Sequence, residues 1–483
     1  MKANLLRALF LAALPAMLAP TLGAQAIGLP EISKESQDCM QCHKKEHRGI
    51  YQQWGASKHF RANVGCYECH AAEKSDKDAF NHYDHTIAVL VTPKDCGRCH
   101  PKEVKEFVNS HHAKGGRILG SLDNHLAEVV EGNRAMITPA FPNGNSAAAV
   151  NGCWQCHGSQ IAVLADGRLD PATYPNSGIG RINPDGSEGA CNACHVRHEF
   201  SAAQARHPDT CGKCHLGPDH PQKEIYEESK HGIAFFSNED KMNLDSNKWI
   251  VGEDYWHAPT CATCHMSQTK NQPVTHDIGL RISWNNRPPL SVRPEVSDAK
   301  MGLPGKDIPW QVRRENMKDV CYNCHNKNWV SNFYVQYDAL VELYNEKFAR
   351  PGRDLYALAK PLRPYKAAFS HPVDWYWWEL WHHEGRRARH GASMMAPDYT
   401  HWHGTYDVAK TFYTHYIPAL KKLAKEAQES DDAAKIEGGK KLAAKIDAVL
   451  NSKDHQWFID KMDPEERARR DKAREEFLKR YKH

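Results

Sequence analysis

All sixteen cysteines of this 483-residue chain fall into eight Cys-x-x-Cys pairs, and a histidine directly follows each pair. The motifs are Cys39/Cys42/His43, Cys66/Cys69/His70, Cys96/Cys99/His100 and Cys153/Cys156/His157. The other four are Cys191/Cys194/His195, Cys211/Cys214/His215, Cys261/Cys264/His265 and Cys321/Cys324/His325. The spacing has a chemical reason. Two thiols three residues apart reach the two vinyl groups of one haem, and the adjacent imidazole is then held under the iron as an axial ligand. The pattern therefore predicts eight covalently attached haem c groups. A disulfide scaffold would suit a secreted, cysteine-rich chain. It gives no reason for a histidine after every pair. Zinc knuckles need more widely spaced third and fourth ligands.

Low-spin haems that carry electrons usually take a second protein ligand, and histidine is the natural candidate here. Eight proximal histidines leave twenty-two of the thirty. A short internal repeat, aromatic-x-x-Ser-x-His, selects three of them. It runs from Trp54 through Ser57 to His59, from Phe107 through Ser110 to His112, and from Tyr226 through Ser229 to His231. The final histidine of each is expected to be a distal ligand. His111, next to His112, leaves a choice open at that position.

These groups must be positioned by very different stretches of chain. Residues 27–330 are motif-dense, with short connections, many Gly and Pro and little periodicity. They are expected to form an octahaem-binding domain of short helices whose buried apolar area comes mostly from porphyrin. Segments 120–150 and 168–189 read as irregular loops. After the last motif, Phe333, Val335, Leu340, Leu343, Tyr344 and Phe348 predict an amphipathic helix over 332–350. Trp375, Trp378 and Trp381 predict the face of a second helix, and Asp463-Pro464-Glu465-Glu466 the start of the last. Residues 331–483 are thus expected to be a helical C-terminal domain. The expected fold class is mainly α, a multihaem cytochrome c followed by a long-helix region.

Lys2, Arg7, an apolar run from Leu5 to Leu18 and the small-x-small string Ala24-Gln25-Ala26 predict a cleaved export signal over residues 1–26. The run is short for a bilayer span, and no later segment offers a long uncharged one. The expectation is a periplasmic protein with no membrane span in the mature chain. Losing Lys2 and Arg7 takes the formal net charge from +4 to +2, which suggests no nucleic-acid partner.

Several local strings carry a resemblance. They are Cys194-His195-Val196-Arg197-His198-Glu199-Phe200-Ser201, Pro218-Asp219-His220, Ser229-Lys230-His231-Gly232, Ala258-Pro259-Thr260-Cys261 and Thr275-His276-Asp277-Ile278. With the order of the eight motifs and the helical C-terminal third, they make the chain resemble the hydroxylamine oxidoreductase family of octahaem cytochromes. The resemblance implies seven bis-His haems and one open catalytic haem, the fourth, on Cys153, Cys156 and His157. It implies the distal set His59, His85, His112, His198, His231, His276 and His390. It also implies that Asp219 and His220 form a proton-accepting pair over the open haem, suited to general-base work. Tyr399 resembles the tyrosine that oxidative members bond to the catalytic porphyrin of a neighbouring subunit, which implies a homotrimer.

Three features depart from the ammonia-oxidiser pattern. Arg287 stands where those enzymes carry another active-site tyrosine, beyond the tryptophan matching Trp284. The approach to Tyr399 is shorter, and the chain ends in charged residues, Lys479 to His483, with no membrane anchor. The function the resemblance implies is oxidation of hydroxylamine to nitric oxide or nitrite, with an electron-carrier cytochrome c as acceptor. Nitrite or hydroxylamine reduction, or hydrazine dehydrogenation, is the alternative within the same fold. A pure electron-transfer wire is the alternative from another class.

Overall fold

The computed structural model describes residues 31–118, 129–130, 136–138, 141–145, 148–303 and 308–482. The expected export signal and much of the loop expected over 120–150 lie outside the described residues. The chain is mainly helical, in two styles. Before residue 303 the helices are short and separated by turns. Those used below are α1 (Lys34–Glu46), α2 (Arg48–Ala56), α3 (Pro101–Val108), α4 (Gln222–Glu228) and α5 (Lys230–Phe236). The strands form two small antiparallel hairpins. In the first, β1 (Phe80–His82) pairs with β2 (His85–Ile87), with His82 opposite His85.

The later helices are α6 (Trp310–Cys321), α7 (Lys327–Tyr344), α8 (Arg350–Ala359), α9 (Pro372–Trp378), α10 (Gly385–Ser393), α11 (Ile417–Gln428), α12 (Ala433–Leu450) and α13 (Pro464–Lys479). The contrast follows from patterning. Helix α1, which carries the first motif, buries only Ser36 against polypeptide. Helix α11 buries Ile417, Leu420, Leu423, Ala424 and Ala427, a stripe at helical spacing. That stripe meets Leu442 and Ile446 of α12, together with Leu355, Val373, Trp377, Trp378, Phe412 and Tyr416. Each fully buried leucine-sized side chain there contributes about 1.5–3 kcal/mol.

Two expectations need correction. The helix expected over 332–350 starts earlier, at Lys327, because the Asn326 side chain caps it by accepting from Trp329 N at 2.9 Å. It continues through a π-helical turn, Asn345–Ala349, into α8. Pro351 sits in the first turn of α8, where its missing N–H is no loss. The tryptophan face is also different. Trp377, Trp378 and Trp381 are buried, whereas Trp375 is exposed and donates to the Phe369 carbonyl at 2.9 Å. Residues Glu379–Glu384 are π-helical, and the wider turn moves the buried stripe relative to a regular helix.

The haem-motif region and the helical region interlock. Helix α7 runs across residue 330, and its Asp338 accepts from Trp284 Nε1 at 2.7 Å and from Arg314 at 2.6 and 2.7 Å. Arg389 of α10 donates to Ser291 Oγ at 2.8 Å. Among the described residues no helix is long and apolar enough to cross a membrane.

Candidate functional site

In the motifs a single helical turn brings thiols and imidazole to one side. The bonds His100 N to Cys96 O (2.9 Å), His195 N to Cys191 O (3.0 Å), His215 N to Cys211 O (3.0 Å) and His325 N to Cys321 O (2.9 Å) close that turn. All sixteen cysteines are unbridged.

The expectation of a covered, haem-packed interior needs a correction at three of the sixteen. Cys42, Cys99 and Cys324 are exposed, whereas the other thirteen are at least partly covered by polypeptide. Cys99 shows the reason. It lies in the turn that follows Pro93–Cys96, with its N–H on Cys96 O at 3.2 Å. Its motif partner Cys96 faces inward onto Cys191, so this turn presents one thiol to the interior and one to solvent. Attachment through Cys99 therefore places one edge of the third haem at the surface.

The serine of the internal repeat has a structural job. Ser57 donates to Trp54 O at 2.6 Å, Ser110 to Phe107 O at 2.6 Å and Ser229 to Tyr226 O at 2.7 Å. Ser57 and Ser229 also accept from Phe60 N and Gly232 N, capping the next turn. The histidine two residues on is thereby aimed away from the aromatic and across the molecule. His59 meets His100 with ring centres 6.3 Å apart, His112 meets His215 at 6.1 Å, and His231 meets His325 at 6.1 Å. His276 likewise meets His195 at 6.3 Å. Two imidazoles on one iron put their ring centres about 6.3 Å apart, from metal–nitrogen bonds of about 2.0–2.1 Å and roughly 1.1 Å from each nitrogen to its ring centre. These pairs fit a bis-His haem.

Burial pushes the pKa of His112 down to about 3 and those of His195, His215 and His265 to about 4. It therefore holds these rings in the neutral form that binds metal. His198 adjoins His70, whose Nδ1 lies 2.8 Å from Ala88 O and leaves Nε2 for a metal.

At the first motif the ring across from His43 is His82, at 6.2 Å. His85 sits with Nε2 3.6 Å from Asp38 and its ring 5.5 Å from Tyr67. The carry-over to His85 therefore meets a competitor three residues away. Tyr83 and Asp84 both have positive φ, giving the two-residue turn of a tight hairpin, and the directly paired His82 and His85 share one face. The His111–His112 choice also has a geometric answer. His111 Nε2 is 2.6 Å from Asp298 Oδ1, which leaves His112 for His215. His390 is buried in α10, near Arg386, Arg389, His215 and His220.

Thiols of different motifs approach one another and trace the order of the sites. Cys96 contacts Cys191, Cys211 contacts Cys261, and Cys156 contacts Cys214. Cys69 adjoins Cys96, Cys194 adjoins Cys211, and Cys264 adjoins Cys321. His43 adjoins His70. The motifs thus run first, second, third, fifth, sixth, seventh, eighth, with the fourth joined at the sixth. The exposed Cys42 and Cys324 mark the two ends of that line, and the exposed Cys99 opens it to solvent at the third motif.

The fourth motif has different surroundings. The neighbours of His157 are His220, Asp219, the Gly115 backbone and Arg287, and burial holds its imidazole below the ordinary range. Behind it the backbone is packed closely. A Cβ on Gly158, which has φ +82°, would lie 2.4 Å from Arg181 N, and one on Gly180 would lie 2.3 Å from Gly115 N. The glycine-rich stretch that reads as a loop is thus a close-packed backing for this motif.

In front, His220 bonds through Nδ1 to Asp219 Oδ1, and its Nε2 lies 2.8 Å from the Cys214 carbonyl. Both ring nitrogens face acceptors, so both donate and the ring is an imidazolium. Burial opposes that charge, but Asp219 outweighs it and raises the pKa of His220. Burial would also raise Asp219. Hydrogen bonding to His220, with His382 and Arg386 nearby, instead drives it well below the usual carboxylate range. Arg386 Nη1 is 3.2 Å and His382 Nδ1 3.8 Å from Asp219 Oδ2. Nothing local in the sequence marked His382 and Arg386, because they reach Asp219 from a helix more than 160 residues away.

Tyr399 is half-buried, with its N–H donating to Glu228 Oε1 at 3.2 Å and its ring 5.5 Å from His403. Trp402 and Tyr406, just after it, are largely exposed.

The model for multihaem cytochromes with seven CxxCH motifs matches residues 184–343, and that for cytochrome c554 and c-prime matches residues 23–75. A probable nitrite reductase–hydroxylamine oxidoreductase fusion protein of Kuenenia stuttgartiensis is 28% identical over 337 residues, 60% of this chain and 34% of that protein. The chain therefore spans about a third of the length of this curated relative. Among solved structures, a hypothetical multiheme protein has a TM-score of 0.70 at 25% identity, over 83% of this chain and 98% of its own. The reducing HAO-like protein complex Kustc0457/Kustc0458 of Kuenenia stuttgartiensis has a TM-score of 0.53 at 19% identity, over 81% of this chain and 86% of its own. The motifs and these likenesses together give a mainly helical multihaem cytochrome c fold with a redox or electron-transfer role.

Proposed function

We propose that this chain is a periplasmic octahaem oxidoreductase that converts hydroxylamine, to nitric oxide or nitrite, at an open haem on Cys153, Cys156 and His157. One observation carries the reading. His43, His70, His100, His195, His215 and His325 each face a second imidazole, whereas His157 faces Asp219, His220 and Arg287. In this reading the distal set is His82, His198, His59, His276, His112 and His231, and His390 is assigned to His265 on the resemblance alone.

When bound, the fourth haem supplies an iron that holds the substrate nitrogen and exchanges its electrons. The chain does the rest. Asp219 and His220 hold and move the protons that accompany those electrons. The line of motif contacts carries charge from the sixth site toward an exposed end, the first or the eighth, where a cytochrome c docks. Tyr399, beside an exposed aromatic stretch, bonds to the catalytic porphyrin of another subunit in a homotrimer. The segment 1–26 is removed on export, so mature protein begins at Ile27.

A second reading, reduction of nitrite or hydroxylamine, has its own support. An imidazolium with both nitrogens donating is already loaded to give a proton. Arg287 and Arg386 add positive charge that suits an anion. The deciding experiment measures high-spin haem by low-temperature EPR in the purified holoprotein, then turnover with hydroxylamine plus an acceptor and with nitrite plus a donor. One high-spin haem that binds hydroxylamine, with faster oxidation, supports the first reading. Faster reduction supports the second. Eight low-spin haems that bind neither substrate leave an electron wire.

A further inference from the structure

The residues behind the Asp219–His220 pair form a built support. Arg386 is buried, at 5% exposure, in the second residue of α10. Its Nη1 lies 3.2 Å from Asp219 Oδ2 and 3.1 Å from His382 Nε2. Its Nε donates to the carbonyl of Arg287 at 2.7 Å, and its guanidinium lies 5.0 Å from the Trp381 ring centre. Because Arg386 has only donors, His382 Nε2 must be the acceptor. The His382 proton is then on Nδ1, the nitrogen turned toward Asp219 at 3.8 Å. The His382 ring is itself stacked on Trp378 at 3.8 Å and 16°. One guanidinium thus ties together the Asp219 carboxylate, the backbone of Arg287 beside the fourth motif, and a histidine locked by an indole.

We infer that Arg386 is a positioning residue for proton transfer at the fourth haem. It fixes one oxygen of Asp219, so that the other aligns His220, and it holds the loop bearing Arg287 at its working distance. This rests on the proposed role of the Asp219–His220 pair. A planar fork suits the task because it meets the carboxylate, the imidazole and the carbonyl from one rigid group, which an ammonium on a flexible stem does not. His382 acts one step further back, by giving the second Nη1 hydrogen an acceptor.

The test uses the holoenzyme with Arg386→Gln, Arg386→Lys, Asp219→Asn and the Arg386→Gln/Asp219→Asn double variant. Haem content and the optical spectrum are recorded for each. Hydroxylamine and nitrite affinities of the ferric protein are measured by optical titration, independently of turnover. Proton transfer by a positioned group is worth about 10²–10⁴ in rate. Arg386→Gln is therefore expected to lower kcat by about 30-fold with little change in KM or optical affinity, and to raise the solvent isotope effect on kcat. Arg386→Lys should recover roughly a third of the loss on a logarithmic scale. In the Asp219→Asn background Arg386→Gln should cost little more, because both act through one carboxylate.

If Asp219→Asn lowers kcat but Arg386→Gln leaves it unchanged, the positioning role is overturned and the pair stands. If the two losses multiply in the double variant, Arg386 acts on something other than Asp219 and the inference is also overturned. If Asp219→Asn itself has no effect, the reading of the pair fails first. Should Arg386→Gln not assemble, the comparison of Arg386→Lys with its Asp219→Asn double variant carries the same test.

Discussion

Replacing His82 with alanine gives the most direct check on the haem geometry. His82 lies 6.2 Å from His43 between ring centres, within the 6.1–6.3 Å range of the other imidazole pairs. An iron on His43 Nε2 therefore has His82 within bonding reach. His85, on the same hairpin face, is engaged with Asp38 at 3.6 Å. If the fourth haem alone is open, one haem of eight is high-spin in the parent protein. His82→Ala should open the first and raise that share to two in eight, doubling the high-spin signal per protein. The hairpin tip is a light structural load, so all eight haems should stay attached. Low-temperature EPR or magnetic circular dichroism, integrated against total haem iron, reads the change. Added imidazole should reverse it by taking the vacated position. The reasoning is refuted if His82→Ala leaves the share at one in eight while His85→Ala doubles it.

Other outcomes follow from the same groups. With every cysteine thioether-bonded, the exposed Cys42, Cys99 and Cys324 included, the intact mass should equal the mature chain plus eight haems. Alkylation of the denatured holoprotein should then find no free thiol. Tyr399→Phe should keep eight haems and lose any unusual optical band of the fourth. It should also lose most hydroxylamine oxidation, while nitrite reduction by an artificial donor survives; an unchanged spectrum and oxidation rate would reduce the tyrosine to packing. Glu384 is buried, accepts from Thr411 Oγ1 at 2.6 Å, and has its pKa pushed up to about 8, mainly by burial. Its folded-state value lies above the unfolded one, so its stabilising contribution is complete below about pH 4.5 and is lost as pH rises toward 8. Glu384→Gln should therefore gain stability over the parent across that window, by roughly 2–4 kcal/mol at pH 8. A pH-independent difference in melting temperature would contradict this.

What could be read from the sequence divides by how local its cause is. The eight motifs are complete within five residues, because attachment and proximal ligation need only one helical turn. Which thiols of a motif face inward is already beyond that window, since Cys96 is turned to Cys191 and Cys99 to solvent by the packing of two motifs on each other. The aromatic-x-x-Ser-x-His repeat was legible, because the serine bonds back three residues to the aromatic's carbonyl and sends the histidine outward. The partners of those histidines were harder. His43 is separated from His82 by several short elements, and whether His82 or His85 faces it depends on the packing of a hairpin whose turn lies between them. The pair His111 and His112 is resolved by Asp298, 187 residues away from His111, which no window could have included. Trp375 was misplaced because periodicity assumes 3.6 residues per turn and the helix widens just beyond it. Arg386 and His382 had no local mark at all.

The order of motif contacts bears on why the open site is the fourth. The other seven sites lie on one continuous line, and the fourth touches that line through Cys156 and Cys214 alone among the described thiol contacts. A site on a branch can change its ligand and its charge during chemistry without breaking the conductor. The sixth motif then serves two circuits at once. His215 meets His112 on one side, and its own segment goes on to Asp219 and His220 five residues later. Electrons entering or leaving the fourth haem and the protons that balance them are therefore handled by one short stretch, from Cys211 to His220. Arg386 fixes the far end of that stretch from α10, and the helical C-terminal region holds α10 in place through the buried Trp377, Trp378 and Trp381. On this argument the long helices, which carry no haem motif, set the geometry of the proton half of the reaction, while the motif-dense half conducts the electrons.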